Sequence, residues 1–303
     1  MNSSVLCFGE VLWDNLPSGP LPGGAPMNVA LHLKRFGISS IIASSVGNDE
    51  KGTALVSFLK NAGMDTSYIQ IHDSLPTSEV LVHLNEKNNA TFEICEPVAW
   101  DEIQLTSELA GVIKNCQALV YGSLASRNLH TRETLVKLLD SKILRIMDVN
   151  LRPPFDKQEI VIPLLKKADI VKLNIDELVK ICKWFNIKGE FEILINNLYN
   201  LLKIKTLIIT KGEHGASIIH EGKLYSHQGY IVKVADTVGA GDAFLAGFLA
   251  AFFDKRKISE ALDEACAIGA FVASKQGAVP DYDIKTINDF IKCGIENNHC
   301  RTI

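Results

Sequence analysis

The chain has 303 residues, 47% of them hydrophobic, enough to bury a large core in one domain or two. Its formal net charge is −4, with 31 basic and 35 acidic residues scattered along it, so no basic field points to nucleic acid or to an acidic membrane surface. No run approaches the roughly 18 unbroken apolar residues of a membrane helix, the first residues lack a secretory signal, and seven cysteines without metal-type spacing read as reduced thiols of a cytoplasmic protein.

Residues 5–8 form an apolar, β-branched run that reads as a buried strand, left by Gly9-Glu10-Val11-Leu12-Trp13-Asp14. A helix is expected over about residues 26–36, with Gly37 as its stop; a strand over 41–46 and a helix over 50–61 follow, the latter closed by Gly63. Asp14 falls beyond the carboxyl end of the first strand, where open α/β sheets bind ligands, and a carboxylate can accept hydrogen bonds from two vicinal hydroxyls. Gly23 and Gly24 offer bare backbone, and the Asn28 amide can both donate and accept. The same residues also fit a plain Gly-Gly turn with Pro26 at a helix start.

Two strand-like runs, 78–84 and 90–94, flank Asn85-Glu86-Lys87-Asn88-Asn89, a hairpin signal inside an α/β chain. A hairpin alone is marginal in water, so a small β-sheet lid is expected, built from about 11–17, 67–71 and 78–96. Further strands are expected at 118–121, 144–149, 170–173 and 206–210, with helical segments between, and antiparallel edge strands within 212–231. The alternation implies right-handed βαβ crossovers: one α/β domain over 1–303, a parallel-rich central sheet flanked by helices on both faces, with the lid inserted. Arg152, just beyond the strand ending in Asp148-Val149, suits planar contacts to a sugar hydroxyl and a phosphate. Lys172-Leu173-Asn174-Ile175-Asp176-Glu177 ends a strand and opens a helix, where Asn174 and Glu177 also have the spacing of a capping box.

The most informative segment is Asp236-Thr237-Val238-Gly239-Ala240-Gly241-Asp242-Ala243-Phe244, ahead of an apolar helical run. Small residues at Gly239, Ala240 and Gly241 let backbone N–H groups converge at the positive end of that helix, an anion hole for a phosphoryl group leaving ATP. Asp242, in the first turn, fits plain helix capping or the role of a base; the helix dipole should hold its pKa down, which phosphoryl transfer tolerates because the base mainly orients the hydroxyl. There is no Walker A loop, and Phe244 stands where a dinucleotide fingerprint needs its third glycine.

Residues 236–244 resemble the C-terminal signature of the ribokinase-like (PfkB) carbohydrate kinases, and Gly23-Gly24-Ala25-Pro26-Met27-Asn28 resembles the N-terminal signature of the same family. Gly9 to Asp14, the Gly-Gly-Ala-Pro-x-Asn variant and Pro97-Val98-Ala99-Trp100-Asp101 are similar to its fructokinase subgroup, and the likeness covers nearly the whole chain. The resemblance implies Asp242 as catalytic base, Gly239, Ala240 and Gly241 as anion hole, and Asp14, Gly23, Gly24 and Asn28 as sugar-holding residues. It further implies that Lys172, Asn174 and Glu177 organise ATP and Mg²⁺ through water, that Thr210, Gly212 and Gly215 border the nucleotide, and that Gly277 closes over adenine. Asp236 resembles the monovalent-cation (K⁺) site of some relatives, although Val238 replaces a threonine found in many ribokinases. A homodimer formed through the lids is the implied assembly. Fructose is the implied acceptor; 2-keto-3-deoxygluconate, ribose, a nucleoside or a sugar phosphate would keep the chemistry, and a non-catalytic regulatory protein is the reading from another class. The eight histidines show no ligand spacing and read as ordinary surface or core residues.

Overall fold

The structure, a computed structural model, describes residues 4–16, 19–84 and 90–299. Its strands are β1 (Ser4–Phe8), β2 (Leu12–Leu16), β3 (Gly19–Gly23), β4 (Ser40–Gly47), β5 (Ile69–His72), β6 (Ser78–Leu84), β7 (Ala90–Ile94), β8 (Cys116–Tyr121), β9 (Leu144–Asp148), β10 (Ile170–Asn174), β11 (Thr206–Thr210), β12 (Ala216–His220) and β13 (Lys223–His227). Its helices are α1 (Ala25–Arg35), α2 (Glu50–Asn61), α3 (Ser107–Val112), α4 (Leu129–Leu138), α5 (Gln158–Leu165), α6 (Ile175–Trp184), α7 (Phe191–Leu202), α8 (Ala240–Phe253), α9 (Ile258–Ala273) and α10 (Ile284–His299).

Among the described residues, nine strands form the central sheet in the order β13-β12-β11-β10-β9-β8-β1-β4-β5. Neighbours are parallel from β11 to β5, and β12 and β13 add an antiparallel edge, as expected for the 212–231 region. Side chains alternate across this sheet: Leu6 and Phe8 of β1 join one buried core, Val5 and Cys7 the other. Helix α8 is apolar on every side and correspondingly buried from Ala243 to Ala251. The chain runs from β1 to β4 on one side and then to β8 on the other, so β1 is the switch point. A crevice therefore opens beyond the carboxyl ends of β1, β8, β9 and β10.

A second sheet, in the order β3-β2-β6-β7, stands apart from the first. The expected hairpin is present: β6 and β7 are antiparallel, with Val80 opposite Ile94. The predicted turn, 85–89, lies outside the described residues, as does Pro17 at the end of the predicted 11–17 segment. The segment predicted at 67–71 is not in this sheet. Ile69–His72 pairs in parallel with β4 at the edge of the central sheet, Ser44 opposite Ile69, and its place in the small sheet is taken by Gly19–Gly23, antiparallel to β2. The reason is local: β3 follows β2 after a short link and needs no crossover, whereas the Ile69 side chain is buried in the central core.

Candidate active site

A cleft of about 820 Å³ lies between the two sheets, within the usual size of a small-molecule site. Its wall carries Asp14, Gly24, Asn28, Arg152, Lys172, Asn174, Glu177, Thr210, Asp236, Gly239, Gly241, Asp242 and Gly277, from both ends of the chain. Asn28, on α1, donates from Nδ2 to Asp242 Oδ2 at 2.8 Å, joining the two glycine-rich segments at the cleft floor.

Gly239 caps α8 with φ 74°, and a Cβ there would stand 2.6 Å from Ala278. The helix N-terminus can therefore face the cleft only with glycine at this position. Ala240 departs from expectation: its N–H turns into the loop and donates to Thr237 O at 3.3 Å, and it does not line the cleft. Of the three small residues, Gly239 and Gly241 line the cleft at the first turn of α8. Beneath it, a Cβ on Gly241 would stand 3.3 Å from Lys172 Nζ, so the missing side chain lets the ammonium approach. Lys172 is buried and bonds both oxygens of Asp148, at 2.9 and 2.7 Å. The pair sits directly across the β9–β10 ladder. Burial alone would lower the Lys172 pKa, but Asp148, then Asp242 and Glu177, outweigh it and the pKa is raised.

The Asp242 pKa is shifted opposite to the direction that its helix dipole implies. Burial, with the Asp148 charge added, pushes its pKa up to about 7, against Lys172, the Asn28 hydrogen bond and Arg152. With Asp242 as the base, kcat/KM should fall about tenfold per unit below pH 7 and level off above. A pH–rate profile with no acid limb between pH 5 and 7 would remove Asp242 from that role.

Asp14 projects from β2, its pKa raised by burial and by Asp236 against the pull of Arg152. Gly23 does not line the cleft. It leaves room for Asp14, since a Cβ there would lie 2.2 Å from Asp14 Oδ2. Gly23→Ala should therefore raise the KM for the acceptor about ten- to a hundredfold, the worth of a charged hydrogen bond. The KM for ATP should stay within twofold; steady-state kinetics on both substrates separates the two.

Glu177 is where the capping account and the functional account meet. Its oxygens accept from Asn174 N at 2.8 Å and Leu151 N at 2.7 Å, while Asn174 Oδ1 accepts from Glu177 N, a complete capping box. Burial and Asp148 raise its pKa, so the carboxylate is held but poorly solvated. Each Glu177 oxygen spends one lone pair and the residue still lines the cleft, which fits a hydrated Mg²⁺ better than direct ligation. Among the described residues no group of three or more His, Cys, Asp or Glu is arranged to cage an ion.

Thr210 ends β11 at the cleft, but Gly212 and Gly215 do not reach it. A 3₁₀ turn over Gly212–His214 carries the chain away, and the φ of 76° at Gly215 serves close packing on the backbone of His227. Asp236 accepts from Val238 N and Gly277 N, at 3.0 and 3.2 Å, and so closes its loop onto Gly277.

Several site residues went unassigned in the sequence. Glu10 is 3% exposed at the cleft, its Oε2 has no hydrogen-bond partner, and burial pushes its pKa up to about 7. Asn28 Oδ1 is likewise buried and unpartnered, leaving orphaned polar atoms at the cleft. Asp148 was visible only as the acidic end of one apolar strand beside a basic residue in the next. His32 is a core residue with a supporting task. It holds Ala278 O through Nε2 at 3.0 Å and accepts from the Tyr282 hydroxyl at 2.6 Å, with burial pushing its pKa down to about 4.

Residues 20–285 match the pfkB family carbohydrate kinase. The probable fructokinase-5 of Arabidopsis thaliana is 30% identical over 308 residues, covering 91% of this chain and 93% of the relative. The fructokinase of Escherichia coli is 28% identical over 302 residues, covering 92% and 96%. Among solved structures, a double mutant of the fructokinase from Vibrio cholerae O395, with fructose, ADP and potassium ion bound, superposes with a TM-score of 0.82. It is 24% identical, covers 96% of this chain and 98% of its own, and shares the fold.

Proposed function

This chain belongs to the pfkB family of carbohydrate kinases, ATP-dependent sugar kinases, and on that premise we propose that its acceptor is fructose, phosphorylated at O6. The 2.8 Å hydrogen bond between Asn28 and Asp242 carries the reading, because it joins a hydroxyl-binding segment and an anion-binding segment at one point. Asp242 accepts the proton of the attacking sugar hydroxyl while that hydroxyl's oxygen forms the bond to the γ-phosphorus; the bond from that phosphorus to the ADP oxygen breaks. Asn28 fixes the Asp242 carboxylate, and Asp14 holds hydroxyls of the sugar. The N-terminus of α8, Lys172 and Arg152 take up charge on the moving phosphoryl group. The small sheet covers the acceptor and keeps out water, which would compete for the phosphoryl group.

Glu177, through water, and Asn174 would hold Mg²⁺, which neutralises phosphate charge when bound. Asp236 already serves Val238 and Gly277. A monovalent cation there would use its remaining lone pairs with nearby carbonyls, which a potassium titration of turnover reads. Two copies would pair through the small sheet. Pro20 and Pro22 blunt the β3 edge, so β7 is the edge assigned to the contact, and light scattering gives the mass. The buried free thiols Cys7, Cys116, Cys182 and Cys266 suit the reducing cytoplasm.

The test is ADP release with MgATP against fructose, ribose, 2-keto-3-deoxygluconate, adenosine and fructose 6-phosphate. Turnover on fructose above the others is the expected result. A different preferred acceptor would discard fructose and keep the chemistry, and silence from folded, ATP-binding protein would sink the reading.

A further inference from the structure

Away from the reacting groups, Arg127 is buried to 4% side-chain exposure between the base of the small sheet and the loop after β9. Its guanidinium donates from Nε and Nη2 to the two oxygens of Asp101, at 2.7 and 2.8 Å, and from Nη2 to Cys95 O at 2.8 Å. Its flat face lies 4.0 Å from the ring centre of Trp100 and 4.6 Å from that of Phe155. Asp101 is itself pinned, accepting from Val98 N at 3.0 Å.

Two of these contacts lead toward the cleft. Cys95 continues β7 and donates its N–H to Glu79 O of β6, so it belongs to the root of the small sheet. Phe155 donates its N–H to Arg152 O at 2.8 Å, and Arg152 faces the cleft, where its charge acts on Glu10, Asp14 and Asp242. Leu151, one residue earlier, is tied to Glu177. A buried ion pair contributes little stability that a well-packed apolar pair would not supply. What the guanidinium adds is orientation: a fork in one plane and close contact with two aromatic rings allow very few arrangements of the groups it touches.

We propose that Arg127 is a positioning residue for phosphoryl transfer, locking the root of the small sheet to the loop that carries Arg152 so that both reach their working positions together. The proposal rests on the sugar-kinase reading. Arg127→Lys keeps the charge and loses fork and plane; it should lower kcat/KM for the sugar about ten- to a hundredfold, the usual cost of misplacing a catalytic group. The KM for ATP should change less than twofold.

A double-mutant cycle decides between positioning and mere support. With Arg152→Ala already in place, Arg127→Lys should cost several-fold less than in the wild-type background, because one of the two elements it positions has lost its acting group. An equal loss in both backgrounds would overturn the proposal. Hydrogen exchange gives an arm independent of activity: Arg127→Lys should speed exchange at 93–97 and 151–155 together. Phe155→Leu, which leaves the Asp101 pair intact, should speed it at 151–155 alone. Exchange at 151–155 unchanged in both variants refutes the coupling, whereas a wild-type chain silent on every sugar refutes the function reading and leaves the exchange result to stand.

Discussion

Asp242→Asn is expected to cut kcat by about two to four orders of magnitude, the range for loss of a positioned base. Fructose and ATP binding should stay within a few-fold, since the amide keeps the shape of the carboxylate and can still accept from Asn28. The same substitution should make the protein more stable at pH 8. A carboxyl whose pKa is raised on folding from 3.8 to about 7 favours the folded state below its unfolded pKa, and that contribution is lost as pH rises through 7. At pH 8 the folded chain carries the full cost of a charged Asp242, and asparagine removes it, so the Tm should rise. Near pH 3.5 the difference should vanish. Thermal melts at both pH values check this, and an Asp242→Asn protein less stable than wild type at pH 8 would show that the carboxylate is better stabilised than its surroundings suggest.

The other large effect is expected at Lys172. Lys172→Met leaves Asp148 buried with no cationic partner, which costs ~3–5 kcal/mol for a broken buried pair. It also removes the ammonium beside Gly241, so kcat in the folded fraction should fall by about 10²–10³. Replacing both, as Lys172→Met with Asp148→Leu, should recover most of the stability and none of the turnover. Denaturant melts and kinetics on the three variants separate the structural part of the pair from the catalytic part. A double variant as unstable as the single one would mean that the apolar pair cannot pack there.

The alternation of apolar strands and helices, the α8 glycine turn and the two signatures were all legible in the chain. Each rests on local chemistry: β-branched runs, a glycine forced to φ 74°, an acidic residue in a first turn. The fourth strand of the small sheet was not legible. Gly19-Pro20-Leu21-Pro22-Gly23 has the composition of a turn and becomes a strand only because β2 pairs with it. Segment 67–71 was expected in the small sheet, and burial of Ile69 against the central core puts it in the central one instead.

The sequence by itself determined the fold class and the phosphoryl-transfer chemistry, because those depend on residue types at short spacing. Only the tertiary structure decided which groups share the cleft and in which direction their neighbours shift them. The raised pKa of Asp242 comes from burial and from Asp148, which lies far away in the chain. Arg127 acquires its part only when Asp101, Cys95, Trp100 and Phe155 close around it. Electrostatic and positional effects are sums over neighbours in space, and folding chooses those neighbours.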